Sequence, residues 1–301
     1  MQLIPHRVEL SGDRVVKRLR WVMVGAMLFS AINTLLGQPQ SFWSSPQTAM
    51  RGDGLSIHNP TNHTFEFFLG HGWMAYVAAC LVYVAGTFLL VSILPRKAAL
   101  VADLSFIFGH YYGSCNWLAV RWHLGFNGVA LYGLVLSAAI AWAVSPIPGQ
   151  VGDRIIRRLR WVMIGVMFFD PLVTLIGQPG SYWAHPGTVH EGNAFWRSFM
   201  LRGWPDYVLM DLLYCLGAFW LASNLPRFLA VLSIFAFTLG HFLGASNWSF
   251  YDWRLGMETP VLYGIVLSGI LVWTAFPFRK PEGGTLTAER EHQCAGCLST
   301  S

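Results

Sequence analysis

The stretch GDRVVKRLRWVM at residues 12–23 returns as GDRIIRRLRWVM at residues 152–163, which is 140 positions further along the chain. After a loop that is shorter the second time, the spacing falls to 131, and the Leu-Tyr-Gly of residues 131–133 returns at residues 262–264. Self-similarity at a long, regular spacing is typical of a repeated structural unit. The sequence therefore predicts two tandem copies of one unit.

Composition indicates the surroundings in which that unit folds. The chain of 301 residues is 54% hydrophobic and 12% charged, whereas an ordinary soluble domain is about 25% charged. The charges form short clusters between apolar stretches of about 20 residues, and that length crosses a hydrocarbon core of about 30 Å. We therefore expect a multi-pass membrane protein whose main partner is the lipid bilayer.

Four apolar spans in each copy define the predicted fold class. It is an all-α integral membrane protein with eight transmembrane helices, arranged as two parallel tandem four-helix repeats. The first repeat takes residues 1–149, the second takes residues 150–278, and a polar cytoplasmic tail takes residues 279–301. The predicted spans are residues 18–37, 73–94, 98–118, 128–145, 158–177, 205–225, 228–247 and 260–277.

Basic residues predict the orientation of these spans. They gather before the first span of each copy, as at Arg14 and Lys17, and between the second and third spans, as at Arg96. The positive-inside rule makes those ends cytoplasmic, so we expect a cytoplasmic N-terminus and, beside Arg279 and Lys280, a cytoplasmic C-terminus. Because the net charge of +5 lies at span ends and forms no continuous stripe, we expect no nucleic-acid partner.

Three ionisable residues lie inside predicted spans of the second copy: Asp170, Asp211 and His241. A charged side chain at the centre of a transmembrane helix costs about 2.5–3.5 kcal/mol on insertion scales, so such residues indicate function. Their positions along the fifth, sixth and seventh spans predict a similar depth, within one or two helical turns. These side chains can therefore converge if the three helices pack together.

The first copy differs at the equivalent positions, which are Ser30, Cys80 and His110. The histidine recurs and the two carboxylates do not. This asymmetry favours a single polar site in the second repeat. The same pattern would also result from protonated carboxylates that are hydrogen-bonded between helices and take no part in turnover or transport.

Several chemistries fit these residues. Asp170, Asp211 and His241 can bind a divalent metal, since carboxylates and neutral imidazole are common ligands. They can also form a proton relay, which Asp206 at the outer mouth of the sixth span would connect to bulk water. Each histidine lies within a Gly-xxx-Gly spacing, which lets helices pack closely or leaves room for a haem between His110 and His241.

Other polar residues receive structural interpretations. Asn116 and Asn247 lie at the outer ends of the third and seventh spans, where they can line a vestibule, although capping of helix carbonyls is the favoured role. Asp103, near the cytoplasmic end of the third span, can snorkel to the interface, although a structural role is favoured. Cys294 and Cys297 form a Cys-x-x-Cys in the tail without the second pair that a zinc site needs, so we expect an unreactive tail.

In layout, the four-helix unit with a long loop after its first helix resembles sterol-isomerase and sigma-2-type membrane domains, some of which occur in tandem. The resemblance covers helix order and assigns no functional residue. The sequence favours a small-solute or proton-linked transporter. Two alternatives stay open: a membrane-embedded enzyme or lipid-binding protein that acts on a lipophilic substrate, and a haem-binding or accessory subunit of a membrane complex, with oligomerisation open in each case.

Overall fold

The computed structural model describes residues 3–48, 60–147, 149–253, 255–256 and 258–276. The polar tail of residues 279–301, with Cys294 and Cys297, lies outside the described residues, as do Arg279 and Lys280. The described part of the chain is helical and contains no strand. The all-α prediction is therefore confirmed.

Ten α-helices account for most of the described residues. They are α1 (Leu3–Leu36), α2 (Pro60–Gly70), α3 (Trp73–Ile93), α4 (Arg96–Asn116), α5 (Gly125–Val144), α6 (Gly149–Ile176), α7 (Ala194–Met200), α8 (Trp204–Asn224), α9 (Arg227–Asn247) and α10 (Glu258–Ala275). Eight of them coincide with the predicted spans to within a few residues, except that α1 and α6 begin well before their spans. The short helices α2 and α7 lie in the two long loops.

Seven helices among the described residues are long and apolar enough to cross a membrane: α1, α3, α5, α6, α8, α9 and α10. This confirms a multi-pass membrane protein. The remaining long helix, α4, is not among the seven. It is as long as α3, but Asp103, His110 and the small polar residues of its second half make it less apolar.

Proline sets the boundary between the second and third long helices of each half. Leu94 and Leu225 are the C-terminal caps of α3 and α8, with extended ψ angles of 147° and 150°, and a proline follows each of them. Proline crowds the preceding residue out of the helical region. Because α4 and α9 start directly after Pro95 and Pro226, each connection is a tight turn.

Six helices form the centre of the bundle, namely α1, α4, α5, α6, α9 and α10. The helix α3 packs on α1 and α4 at one side, and α8 packs on α6 and α9 at the other. The helix α5 packs against α9, and α10 packs against α4, so the last helix of each half contacts the third long helix of the other half. The two halves therefore interleave and bury one shared core.

The outer surface of the bundle is apolar, as a lipid-facing surface requires. On α3, Val82 and Ile93 are 73% and 80% exposed, and on α8, Leu216 and Trp220 are 66% and 67% exposed. Soluble monomers seldom expose continuous apolar patches of this kind. The peripheral helices α3 and α8 thus carry much of the contact with the bilayer.

The two long loops begin with Gly-Gln-Pro and a short 3-10 turn, Gln40–Trp43 in the first and Gly180–Trp183 in the second. Phe42 and Tyr182 are buried in the loop cores, while Trp43 and Trp183 are half exposed. The Tyr182 hydroxyl donates to the Met200 carbonyl at 3.1 Å, and burial raises the pKa of this phenol. These contacts anchor the second loop.

Gly264 lies where α10 meets α4 and α9, and a side chain there should destabilise the bundle. A Cβ at Gly264 would come within 3.3 Å of the Phe108 Cβ and 3.7 Å of the Phe242 ring, whereas one at Gly269 meets no atom within 4 Å. We expect Gly264→Leu to lower the free energy of unfolding in detergent by about 1–3 kcal/mol through overpacking. Gly269→Leu is the matched control, and equal stability of the two variants in thermal unfolding would contradict the packing described.

Candidate functional site

An acid and a histidine meet between α6 and α9. The Asp170 Oδ2 lies 2.9 Å from the His241 Nδ1, which is a hydrogen-bonding distance. The side chains are largely shielded, at 18% exposure for Asp170 and 11% for His241. A hydrogen bond that involves an ionised group is stronger than a neutral one, and low polarity around it adds to that strength. The predicted approach of these two residues is therefore present in the structure.

The local sequence explains how a carboxylate fits between two packed helices. A Cβ at Gly244, one turn after His241, would come within 2.5 Å of the Asp170 Oδ2, so only glycine leaves room for this carboxylate. Pro171 follows Asp170 inside α6, and a proline there leaves the carbonyl one turn earlier without its helical partner. Gly244 therefore makes space for the acid where α6 and α9 pack together.

Asp211, on α8, lies beside the pair without bonding to it. Asp211 is 3% exposed. Its Oδ2 lies 3.9 Å from the Cys215 Sγ, and its Oδ1 is buried with no hydrogen-bond partner in the described structure. It is close enough to interact electrostatically with both Asp170 and His241. Because a buried carboxylate oxygen without a partner is costly, Asp211 is the unsatisfied member of the cluster.

A tyrosine completes the surroundings of the histidine. The Tyr214 ring of α8 lies 5.7 Å from the His241 ring, centroid to centroid. At the equivalent positions of the first half, the Tyr83 ring lies 5.8 Å from the His110 ring, and the Tyr83 hydroxyl is 3.4 Å from the His110 Nε2. The histidine and tyrosine therefore have the same relation in both halves, and the carboxylates are what distinguishes the second.

The first half lacks the close contact that Asp170 makes. A Cβ at Gly113 would lie 4.0 Å from the Ser30 Oγ, which is an ordinary van der Waals distance. His110 makes its hydrogen bond with Tyr83 and none with Ser30. The His110 candidate therefore belongs to a polar contact between α3 and α4, separate from the cluster around His241.

Asp206 is exposed in the first turn of α8. Five residues separate it from Asp211, which is about 7.5 Å along the helix axis at 1.5 Å per residue. It is thus not a member of the buried cluster. Its position at the helix end fits the predicted connection between the cluster and water.

Asn116 and Asn247 are the last residues of α4 and α9. Each helix continues after the asparagine into a π turn, Trp117–Arg121 or Trp248–Asp252, for which the asparagine makes no side-chain capping bond. The Asn247 Oδ1 is buried without a hydrogen-bond partner in the described structure. The helices therefore extend past both asparagines, and the capping role stays a prediction.

Two cofactor hypotheses concern these residues, a metal site and a haem. No group of three or more His, Cys, Asp or Glu side chains among the described residues is placed to hold a metal ion, so Asp170, Asp211 and His241 do not form a three-ligand set. His110 and His241 contact tyrosines on different helices, Tyr83 on α3 and Tyr214 on α8. These contacts do not test a haem between His110 and His241, which stays a prediction.

Asp103 is buried and does not snorkel. Snorkelling requires a carboxylate that reaches the interface, but Asp103 is completely buried, and both its oxygens lack hydrogen-bond partners in the described structure. The equivalent residue of the second half is Ile234, which is also completely buried. The burial of Asp103 could be predicted from the sequence, because Leu100, Leu104 and Ile107 give that part of α4 an apolar face.

No protein-family model, curated protein or solved structure matches the chain. The resemblance in helix layout thus stays an expectation. Functional inference depends on the geometry of the described residues.

Gly244 offers a test of how tightly Asp170 is held. We expect Gly244→Ala to lower the free energy of unfolding by about 1–3 kcal/mol, because the new methyl group occupies the space of the carboxylate. Gly113→Ala is the matched control, since its methyl group would meet only ordinary contacts. Thermal unfolding in detergent measures both, and a Gly244→Ala variant as stable as Gly113→Ala would contradict the close fit.

A double-mutant cycle measures the pair itself. Asp170→Asn, His241→Gln and the combined variant should give a coupling energy of about 0.5–3 kcal/mol, because these side chains are in direct contact. The control cycle uses Ser30→Ala and His110→Gln, which should show no coupling. The readout is reversible unfolding in mixed micelles, and additive effects of Asp170→Asn and His241→Gln would mean that the contact contributes nothing to stability.

Proposed function

We propose that this protein is a proton-linked transporter of a small solute, and that Asp170, His241 and Asp211 form its proton-binding site. The observation that carries the proposal is the Asp170–His241 contact of 2.9 Å between two membrane helices, with a second buried acid beside it. Ionisable groups are expensive inside a membrane and occur there mainly on substrate, ion or proton pathways.

The composition of the cluster suits the binding and release of one proton. Histidine exchanges a proton near neutral pH, and two acids held close together do not both ionise easily. When the Asp170–His241 pair carries no net charge and Asp211 is protonated, the cluster is neutral, and loss of the Asp211 proton leaves one negative charge. A solute or a helix movement that favours one of these two states would be coupled to the proton.

The scaffold that we propose has eight membrane-spanning helices, with α4 as the eighth. The helix has 21 residues, which corresponds to about 31 Å at 1.5 Å per residue and is enough to cross the hydrocarbon core. Its polar residues do not argue against a span, because α4 packs in the centre of the bundle against α1 and α10. Asp103 is shielded from lipid there.

We further propose the tandem arrangement, with one four-helix repeat in residues 1–149 and another in residues 150–278. Support comes from the ordered sequence matches and from the same order of long helices in each half. With both termini cytoplasmic, Asp206 would face the opposite side and give the cluster a route to outside water. The two repeats then provide a symmetric frame in which one half carries the acids.

A second candidate function, lipid binding, is favoured by an apolar cavity of about 250 Å³ between the halves. Its walls come from the central helices and include Leu19, Leu104, Ile155 and Phe235, with Arg227 among the few polar residues. A cavity of this kind suits an acyl chain or another lipophilic ligand. It lacks an acid or a histidine, so it supports binding in preference to catalysis.

Proton binding can be tested without knowing the solute. On protein reconstituted into a solid-supported membrane, a pH jump should produce a transient displacement current as protons enter the cluster. We expect Asp170→Asn and His241→Gln to reduce this current at least several-fold, because each removes a member of the hydrogen-bonded pair. Glu258→Gln, which removes an exposed acid from the first turn of α10, should leave it unchanged.

The same reconstituted protein separates the two candidate functions. Displacement currents of equal size in wild type and Asp170→Asn would overturn the proton site. Lipid extracted from the purified protein, together with unchanged currents, would favour the lipid-binding function.

A further inference from the structure

A basic recess of about 520 Å³ lies at one end of the bundle, between the start of α1, the end of α3 and the start of α4. Three cationic side chains and one acid line it together with two aromatic rings: Lys17, Arg20, Arg96, Asp13, Trp21 and Phe88. Cations outnumber the acid, so the recess has a net positive charge. Lys17 is exposed and forms no ion pair within the described structure.

Arg20 is fixed in one orientation inside this recess. Its Nη1 donates to the Ser92 Oγ at 2.9 Å, and its Nη2 donates to the Val91 carbonyl at 3.1 Å. Its guanidinium lies 5.6 Å from the Phe88 ring centre. The contact between α1 and α3 needs only Arg20. It does not explain why Lys17 and Arg96 also line the recess.

The same arrangement occurs a second time in the chain. Arg160 donates to the Ser223 Oγ and lies 5.4 Å from the Phe219 ring. Trp161 packs on Phe219 at 47°, the angle at which Trp21 packs on Phe88. The aligned residues retain their charge throughout: Asp13 and Asp153, Lys17 and Arg157, Arg20 and Arg160, Arg96 and Arg227.

Glycines also recur where the third cation packs. A Cβ at Gly12 would overlap the Arg96 guanidinium, and a Cβ at Gly152 would overlap the Arg227 guanidinium. Arg96 of α4 is thus seated over a glycine of α1, and Arg227 of α9 is seated over a glycine of α6. The residues that line the basic recess keep their charges in both halves. The polar cluster does not, because Asp170 of the second half corresponds to Ser30 of the first.

We propose that each half binds the headgroup of one anionic phospholipid at this end of the bundle. A phosphate accepts charge-assisted hydrogen bonds from arginine and lysine, and basic residues next to membrane spans attract anionic lipids. Trp21 and Trp161 are 56% and 67% exposed at the rim, and tryptophan favours the level of the headgroups. Because these two rings face outward, the acyl chains of the bound lipid can stay in the bilayer.

Native mass spectrometry of the purified full-length protein with added phosphatidylglycerol tests this proposal. Wild type should bind up to two molecules and should bind phosphatidylcholine more weakly. Lys17→Gln or Arg157→Gln should each weaken one site about fivefold, the effect expected of one basic residue near an anionic headgroup. Both residues are exposed, so the variants should fold, and the combined variant should weaken both sites.

Arg14→Gln and Arg154→Gln are the matched controls. They remove exposed charges from the same two helices, but Arg14 does not line the recess. They should leave two sites of wild-type affinity. Equal loss in the controls would show that general charge, and not the recess, attracts the lipid, and would overturn the proposal.

Two further outcomes are decisive. Equal binding of phosphatidylcholine and phosphatidylglycerol would remove the role of the anionic headgroup. Displacement of the lipid by inorganic phosphate at matched concentration would show that free phosphate is the ligand, whereas persistence of the lipid supports the assignment to a membrane lipid.

Discussion

Hydrocarbon offers no hydrogen-bond partner, and this constraint governs the whole structure. Every backbone group inside the bilayer must be satisfied within its own helix or by a neighbour, so the spans are helical and their breaks fall at prolines such as Pro95 and Pro226. The same constraint makes a buried carboxylate conspicuous. Asp170 meets it through His241, and Asp211 meets it only in part.

The packing of the helices brings the polar residues together in one site. Interleaving places the third long helix of each half, α4 or α9, against helices of both halves, so residues on these two helices are shielded from lipid. His241 lies on α9, and Gly244 on the same helix leaves room for the Asp170 carboxylate. Polar chemistry and close packing are therefore linked at one contact, and neither can change without the other.

The basic end of the bundle and the polar cluster differ in how closely the two halves match. At the basic end, both halves keep the same arginine, serine and aromatic contacts. In the membrane interior the halves differ, with acids around His241 and none around His110. The proposed function rests on this difference between the halves.

The sequence by itself determined the helices, because apolar length, proline breaks and charge clusters are local properties that act within one segment. It also predicted that Asp170, Asp211 and His241 lie at a similar depth, where they can converge. Only the tertiary structure decided that the halves interleave, that Asp211 lies beside the pair without bonding to it, that α9 continues past Asn247 into a π turn, and that Asp103 is completely buried. These outcomes depend on how each helix is rotated about its axis, which is set by the packing of faces that are far apart in the chain.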